Sequence, residues 1–289
     1  CIFRRLYFFN LLFMRISILI LLLFVSFSAT NCGQSKSKSN TKFNKLIWSD
    51  EFNDDGPINS EKWFLQTQLP SGGDWYGGLI NHYTNRTENS YVKDGFLNIV
   101  AKKEIFNDQG EIKEYTSARL NSKFAFTYGR VEVKAKLPFG IGTWPAIWML
   151  NKNIDEPGAY WQKQGFGTTY WPVCGEVDIL EHWGKNQNHI QSAVHTAASA
   201  GDDVGNLGGK VLENVSNQFH VYGVEWYEDK LVFSVDGLVY YTYAPATKDS
   251  STWPFISDQY LLLNIAIESD IDASFEESAM VVDYIRVYQ

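Results

Sequence analysis

Beyond Lys45 the chain alternates apolar and polar residues almost one by one. In RVEVKAKL, Val131, Val133, Ala135 and Leu137 alternate with Glu132, Lys134 and Lys136, the period-two signature of a strand with one wet and one buried face. LVFSVDGLVYYTY is two such runs joined at Asp236-Gly237, a strong hairpin signal. GFLNIVAKK, FHVYGVEWY, YLLLNIAI and MVVDYIRVY read the same way, and no stretch after Lys45 sustains a helical period. The pattern predicts an all-β sandwich of two curved antiparallel sheets, with long loops at 151–172 and 198–212 over one face.

One segment breaks the rule that charge stays off buried strands. CGEVDILEHWG, residues 174–184, places Glu176, Asp178, Glu181 and His182 among Val, Ile, Leu and Trp. On a regular strand Glu176 and Asp178 share a face with Leu180, and Glu181 points away. A β-bulge between Asp178 and Glu181 shifts the count by one, so that all three carboxylates project from one face and Leu180 turns to the core. Three such carboxylates cannot all ionise cheaply, so at least one pKa is raised or a proton is shared. Glycoside hydrolysis needs that split, one carboxylate charged as nucleophile and another protonated for the leaving oxygen. The alternatives are a solvated strand end and a divalent-metal site of Glu, Asp, Glu and His. The apolar neighbours speak against the first, and the poor encirclement that one flat strand offers an ion speaks against the second.

The N-terminal part has a different character. Met14 and Arg15 precede an apolar run from Ile16 to Phe27 and then small polar residues, the layout of a secretory signal and too short to span a bilayer comfortably. Residues 1–31 are therefore expected to be a signal segment, with 1–13 as upstream translation. Cys32 stands where a bacterial lipoprotein carries its acylated cysteine, and 32–44 reads as a solvated tether. The folded domain is expected over 45–289 as a single unit, in an exported protein, secreted or held at a bacterial outer membrane, and monomeric.

Within that domain Cys174 is the only cysteine, so no disulfide framework exists and stability must come from the core. Removing Arg4, Arg5 and Arg15 with the leader leaves 22 basic against 33 acidic residues, which disfavours nucleic acid and polysulfated partners but tolerates neutral ligands. The 10 Trp, 16 Tyr and 19 Phe exceed what one core needs and suggest stacking surfaces.

The motif EVDILE preceded by WPVCG resembles the active-site strand of glycoside hydrolase family 16, in the bulged form of laminarinase-type β-glucanases. The likeness extends over about 46–289: LIWSDEF, GRVEVKAKLPFGIGTWPAIWML, FHVYGVEWYEDKLVFSVDG and VVDYIRVYQ match the family's blocks in order. It implies a jelly-roll sandwich whose concave face holds a β-glucan. It also implies a retaining mechanism, with Glu176 as nucleophile, Glu181 as general acid/base and Asp178 as assisting carboxylate. Trp144 and Trp148 are stacking candidates of which at least one is expected to face the cleft, and the resemblance favours Trp144, beside the subsite next to the nucleophile. Arg119, His195 and Asn81 are implied as polar cleft residues, with His182 ranked below His195. No cofactor is implied for catalysis, while Glu51, the backbone of Gly95 and Asp283 resemble a structural calcium site. Two departures stand out: His82 where Glu is common, and ESD at 268–270 where a Gly-Gly-Asn segment is usual. The expected activity is endo-hydrolysis of laminarin-like β-1,3-glucan or mixed-linkage β-1,3-1,4-glucan. A hydrolase of agar, porphyran or carrageenan, a transglycosylase and a non-catalytic glucan-binding module are the alternatives. A Cys174 thiol nucleophile is disfavoured, because adjacent carboxylates raise its pKa.

Overall fold

The alternation read from RVEVKAKL is realised residue for residue in the strand Gly129–Lys136, where Val131, Val133 and Ala135 are buried and the charged residues between them are half-buried. The computed structural model describes residues 42–289; the signal segment, Cys32 and most of the tether lie outside the described residues. Among those described, the only α-helix is the four-residue turn Tyr160–Lys163, and no helix is long and apolar enough to cross a membrane. The domain begins slightly earlier than composition suggests. Phe43 is buried with its ring 5.0 Å from that of Tyr227, because one large apolar side chain is enough to dock the end of a polar tether.

The strands form two sheets. The first has seven antiparallel strands in the order Leu207–Val211, His189–His195, Glu176–His182, Thr143–Asn151, Gln259–Ile267, Arg119–Phe126 and Trp63–Leu65. The second has ten strands and runs from the hairpin Leu231–Val235/Leu238–Tyr243 through His220–Trp226, Gly129–Lys136, Glu277–Tyr288 and Phe96–Asp108 to Glu111–Ser117 and Asn81–Tyr83. Its last pairing is parallel, a local exception to the antiparallel pattern. The hairpin turns at Asp236 and Gly237, both with positive φ, 51° and 73°, as a two-residue turn matched to strand twist requires. Inner faces interdigitate: Ile147, Met149, Val177, Leu180, Leu261 and Leu263 meet Val131, Val133, Val224, Phe233, Met280 and Val282. The result is the jelly-roll sandwich, and its seven-stranded sheet turns the other face outward to carry the cleft.

The bulge lies where the spacing places it, and the extra residue is Ile179. Against the Thr143–Asn151 strand, Asp178 pairs with Trp148 and Leu180 with Ile147, so Ile179 is skipped. Against His189–His195, Asp178 opposes Ala193 and Glu181 opposes Gln191, so Ile179 and Leu180 share Ser192. Val177, Ile179 and Leu180 all join the inter-sheet core. A bulge leaves a backbone carbonyl outside the ladder, and here the Ser192 hydroxyl donates to Ile179 O at 2.8 Å. With its one proton so used, Ser192 Oγ accepts from Tyr240 Oη–H at 2.6 Å, which ties the irregularity to the opposite sheet.

Ser192→Ala strands both the Ile179 carbonyl and the Tyr240 hydroxyl. We expect a loss of about 1–3 kcal/mol in unfolding free energy, measured by urea denaturation, with Ser192→Thr recovering part of it. An unchanged midpoint for Ser192→Ala would show that the clamp contributes nothing to the bulge.

Candidate active site

The bulge brings the three carboxylates onto one face. Across the strands Glu176 opposes His195, Asp178 opposes Ala193 and Trp148, and Glu181 opposes Gln191 and Ala146. Two indole N–H groups address the outer pair: Trp171 Nε1 donates to Glu176 Oε2 at 3.1 Å, and Trp144 Nε1 donates to Glu181 Oε1 at 3.1 Å. Asp178 sits between them. His195 Nε2 approaches Asp178 Oδ2 at 3.2 Å and Glu176 Oε1 at 3.6 Å, but the approach to Asp178 is too poorly aligned for a hydrogen bond, and Asp178 Oδ2 is buried without a partner. The tautomer of His195 follows from its other nitrogen, which accepts Gly201 N–H at 3.2 Å. In the neutral ring the proton is then on Nε2, facing the carboxylates.

Burial dominates the electrostatics. It pushes the Asp178 carboxyl up to about 8. It also pushes Glu181 up to about 8, with the Asp178 charge adding to the effect while His195, the Trp144 N–H and Gln191 oppose it. Glu176 is raised by burial and then by Asp178, with His195 and Arg119 opposing. Glu176 and Asp178 cannot both carry charge in so dry a site. The Glu176 side chain is 16% exposed and has an N–H donor, whereas that of Asp178 is 4% exposed and has none. The pair therefore carries at most one charge, held by two carboxyls that titrate as a unit. Glu181 retains its own proton at neutral pH.

The other sequence candidates divide. Trp144 and Trp148 lie four residues apart on an unbroken strand, so both face outward. Trp144 addresses Glu181 and stacks on Trp183 at 5.4 Å. Trp148 donates to Asn264 Oδ1 at 2.8 Å. Arg119 is 6% exposed and uses its donors on Glu156 at 2.7 Å and Gln66 at 3.2 Å. It also lies near the rings of Trp75 and Trp148. Asn81 is fully buried with His82, and its side-chain oxygen accepts Ile267 N–H at 2.9 Å. It holds two sheets in register and does not line the cleft. His182 also turns away from the carboxylates, its Nδ1 lying 2.9 Å from His189 O. Burial raises the Cys174 thiol to about 12, so it supplies no thiolate.

Two groups of ligands bear on metals. Glu176, Asp178 and His195 bring one ligand atom each within 4.8 Å of one another, enough to chelate a divalent cation, while Glu181 lies outside that group. Glu51 and Asp283 are each engaged by a cation of the chain: Arg286 holds Glu51 through two hydrogen bonds of 2.9 and 2.7 Å, and Lys134 lies 2.6 Å from Asp283.

Trp171, Trp183 and Gln191 are site residues that spacing did not single out. Trp171 sits in the loop five residues before Glu176, where its sequence signal was only the surplus of tryptophans and its place in WPVCG.

Comparison with known proteins points the same way as this geometry. The sequence model of glycosyl hydrolases family 16 matches residues 81–286. A β-glucanase of Rhodothermus marinus is 36% identical over 260 residues, covering 85% of both chains. LamA of Z. galactanivorans, solved as a variant in complex with laminaritriose and laminaritetraose, is 42% identical, with a TM-score of 0.78, over 86% of this chain and all of that one. SCLam, a non-specific endo-β-1,3(4)-glucanase solved as a mutant with 1,3-β-D-cellobiosyl-glucose at its active site, is 33% identical, with a TM-score of 0.75, over 86% of this chain and 95% of that one.

The raised carboxyls make stability depend on pH. Asp178 and Glu181 hold protons more tightly folded than unfolded, so their contribution is complete below their unfolded values near pH 4 and is lost as pH rises to about 8. Unfolding free energy should fall across that window, by at most about 1.4 kcal/mol per pH unit for each group. Glu181→Gln should flatten the slope in denaturant titrations at several pH values, and an equal slope in that variant would contradict the assignment.

Proposed function

The chain belongs to family 16 of the glycosyl hydrolases, and from that premise we propose that it cleaves internal bonds of β-1,3-glucan or mixed-linkage β-1,3-1,4-glucan with retention of configuration. The observation that carries this reading is the bulged face on which Glu176 and Glu181 flank Asp178, each outer carboxylate with its own indole N–H. Glu176 attacks the anomeric carbon as the bond to the leaving oxygen breaks, and Glu181 gives that oxygen its proton. The glycosyl ester on Glu176 is then hydrolysed: Glu181, now a carboxylate, takes a proton from water as the water oxygen attacks the anomeric carbon and frees Glu176. Asp178, which shares one charge with Glu176, is placed to take up a proton as Glu176 ionises. Trp144, Trp148, Trp171 and Trp183 supply aromatic faces that suit the apolar faces of pyranose rings.

Neutral glucan is favoured over sulfated galactan because the cleft floor gathers carboxylates and its one arginine is already paired with Glu156. Export follows in the same proposal from the signal-like run after Met14, with acylation at Cys32. Mass spectrometry of the mature N-terminus in the native host should find a lipid-modified Cys32. An unmodified N-terminus upstream or downstream of it would remove the anchor.

Reducing-sugar release is expected from laminarin and from mixed-linkage glucan, with internal cleavage products. Release from agar or carrageenan alone would overturn the substrate class. Glu176→Gln and Glu181→Gln should each lower kcat on laminarin by about 100-fold or more while oligosaccharide affinity stays within about three-fold. Substantial kcat in either variant would overturn the role of that carboxylate.

A further inference from the structure

The outward face of the seven-stranded sheet carries two small apolar clusters, one under each of two long loops. The 66–80 loop lays Trp75 and Leu79 against Tyr83 and Ala266, with Trp144 at their edge. The 151–172 loop covers Leu150, Tyr260 and Leu262 with Ile154, and Trp161 packs against them. Both clusters lie on the cleft side, because Tyr260, Leu262 and Ala266 alternate along their strand with Leu261, Leu263, Ile265 and Ile267 of the inter-sheet core. The floor left between the loops follows one cross-strand row. Glu181 opposes Ala146, Ala146 opposes Asn264, and Asn264 opposes Arg119. Trp148 flanks that row, its ring 4.8 Å from the Arg119 guanidinium.

At Arg119 the two loops meet. Its guanidinium donates to Glu156 Oε1 of one loop at 2.7 Å and to Gln66 Oε1 of the other at 3.2 Å, and all three residues are buried. Either charge of a buried ion pair is costly when left alone, so the pair ties the loops at this point. Two residues further along each loop the chains close up. A methyl group on Gly158 would stand 2.5 Å from Gln68 Cβ, and Gly158 has a φ of 89°, which a side chain would strain.

We propose that this junction closes the cleft on one side of the catalytic strand, so that substrate is gripped there over only two or three sugar rings. Three strand spacings separate Glu176–His182 from Arg119–Phe126, about 14 Å at the usual spacing, which is the span of a di- or trisaccharide. A further ring meets the joined loops instead of open floor, and a longer chain lifts from the sheet to pass over them. The opposite side has no such wall of its own sheet: the row runs on from Glu181 through Gln191 and Gly209 to the edge strand Leu207–Val211, where Leu207 and Val211 are exposed. Grip is therefore unequal about the scissile bond. The glucan as occupant rests on the proposed function; the closed end does not.

The ring count is read by mapping cleavage of reducing-end-labelled laminari-oligosaccharides of increasing length. On one side of the cut kcat/KM should stop rising after the third ring, the fourth changing it by less than about two-fold. A rise through the fourth ring and beyond on both sides would overturn the proposal. Gly158→Ala forces the loops apart at Gln68 and should shift bond preference on the closed side alone, by about three-fold or more, with Gln68→Gly on that background restoring part of it. An unchanged pattern in folded Gly158→Ala would also overturn the proposal. Crystals of Glu181→Gln soaked with laminarihexaose give a measurement that needs no loop variant: the sugar should leave the floor before Arg119, and a chain lying flat across Arg119 would contradict the closed end. Absence of any glucan cleavage by the parent would instead strike the catalytic reading, so the two failures are told apart.

Discussion

The chemistry of this protein depends on one irregularity in one strand. Without the extra residue at Ile179, Glu181 would point into the hydrophobic layer and Leu180 onto the cleft face. The bulge avoids both costs at once, burying Val177, Ile179 and Leu180 while turning three carboxylates outward. Its unpaired carbonyl is not left bare, because Ser192 and, behind it, Tyr240 satisfy it from the neighbouring strand and the opposite sheet. Packing and function therefore reinforce each other at this point, since the core residues that favour the bulge are those that aim the acids.

Desolvation then sorts the acids. All three carboxyls share a dry floor, but only the outer two have indole donors, and Glu176 is the more exposed member of the inner pair. Unequal exposure and unequal hydrogen bonding give the three carboxyls unequal proton affinities without any further device. The buried Arg119–Glu156 pair supports this indirectly, tying the 151–172 loop, whose end carries Trp171, to the cleft floor. Arg119 and Asn81 each make a buried contact to a distant segment, to Glu156 and to Ile267.

Much of this was legible in the chain alone. Period-two alternation announced the strands, the Asp236-Gly237 step announced a hairpin, and the Glu-x-Asp-x-x-Glu spacing was unintelligible on a strand unless a bulge intervened. These signals are local: a strand's two faces and a turn's dihedral angles are decided by neighbours within a few residues. The same logic, applied to Trp144 and Trp148, places them on one face, as the structure does.

What the sequence by itself determined was thus the sandwich, the bulge and the identity of the three acids, because each follows from short-range geometry and the cost of burying charge. Only the tertiary structure decided who attends them. Trp171 reaches Glu176 from a loop, Ser192 reaches the bulge from the next strand, and Asn81 is drawn away to Ile267 from another sheet. Such pairings depend on how distant segments cross in space, where a side chain's partner is set by sheet register and loop path rather than by its place in the chain.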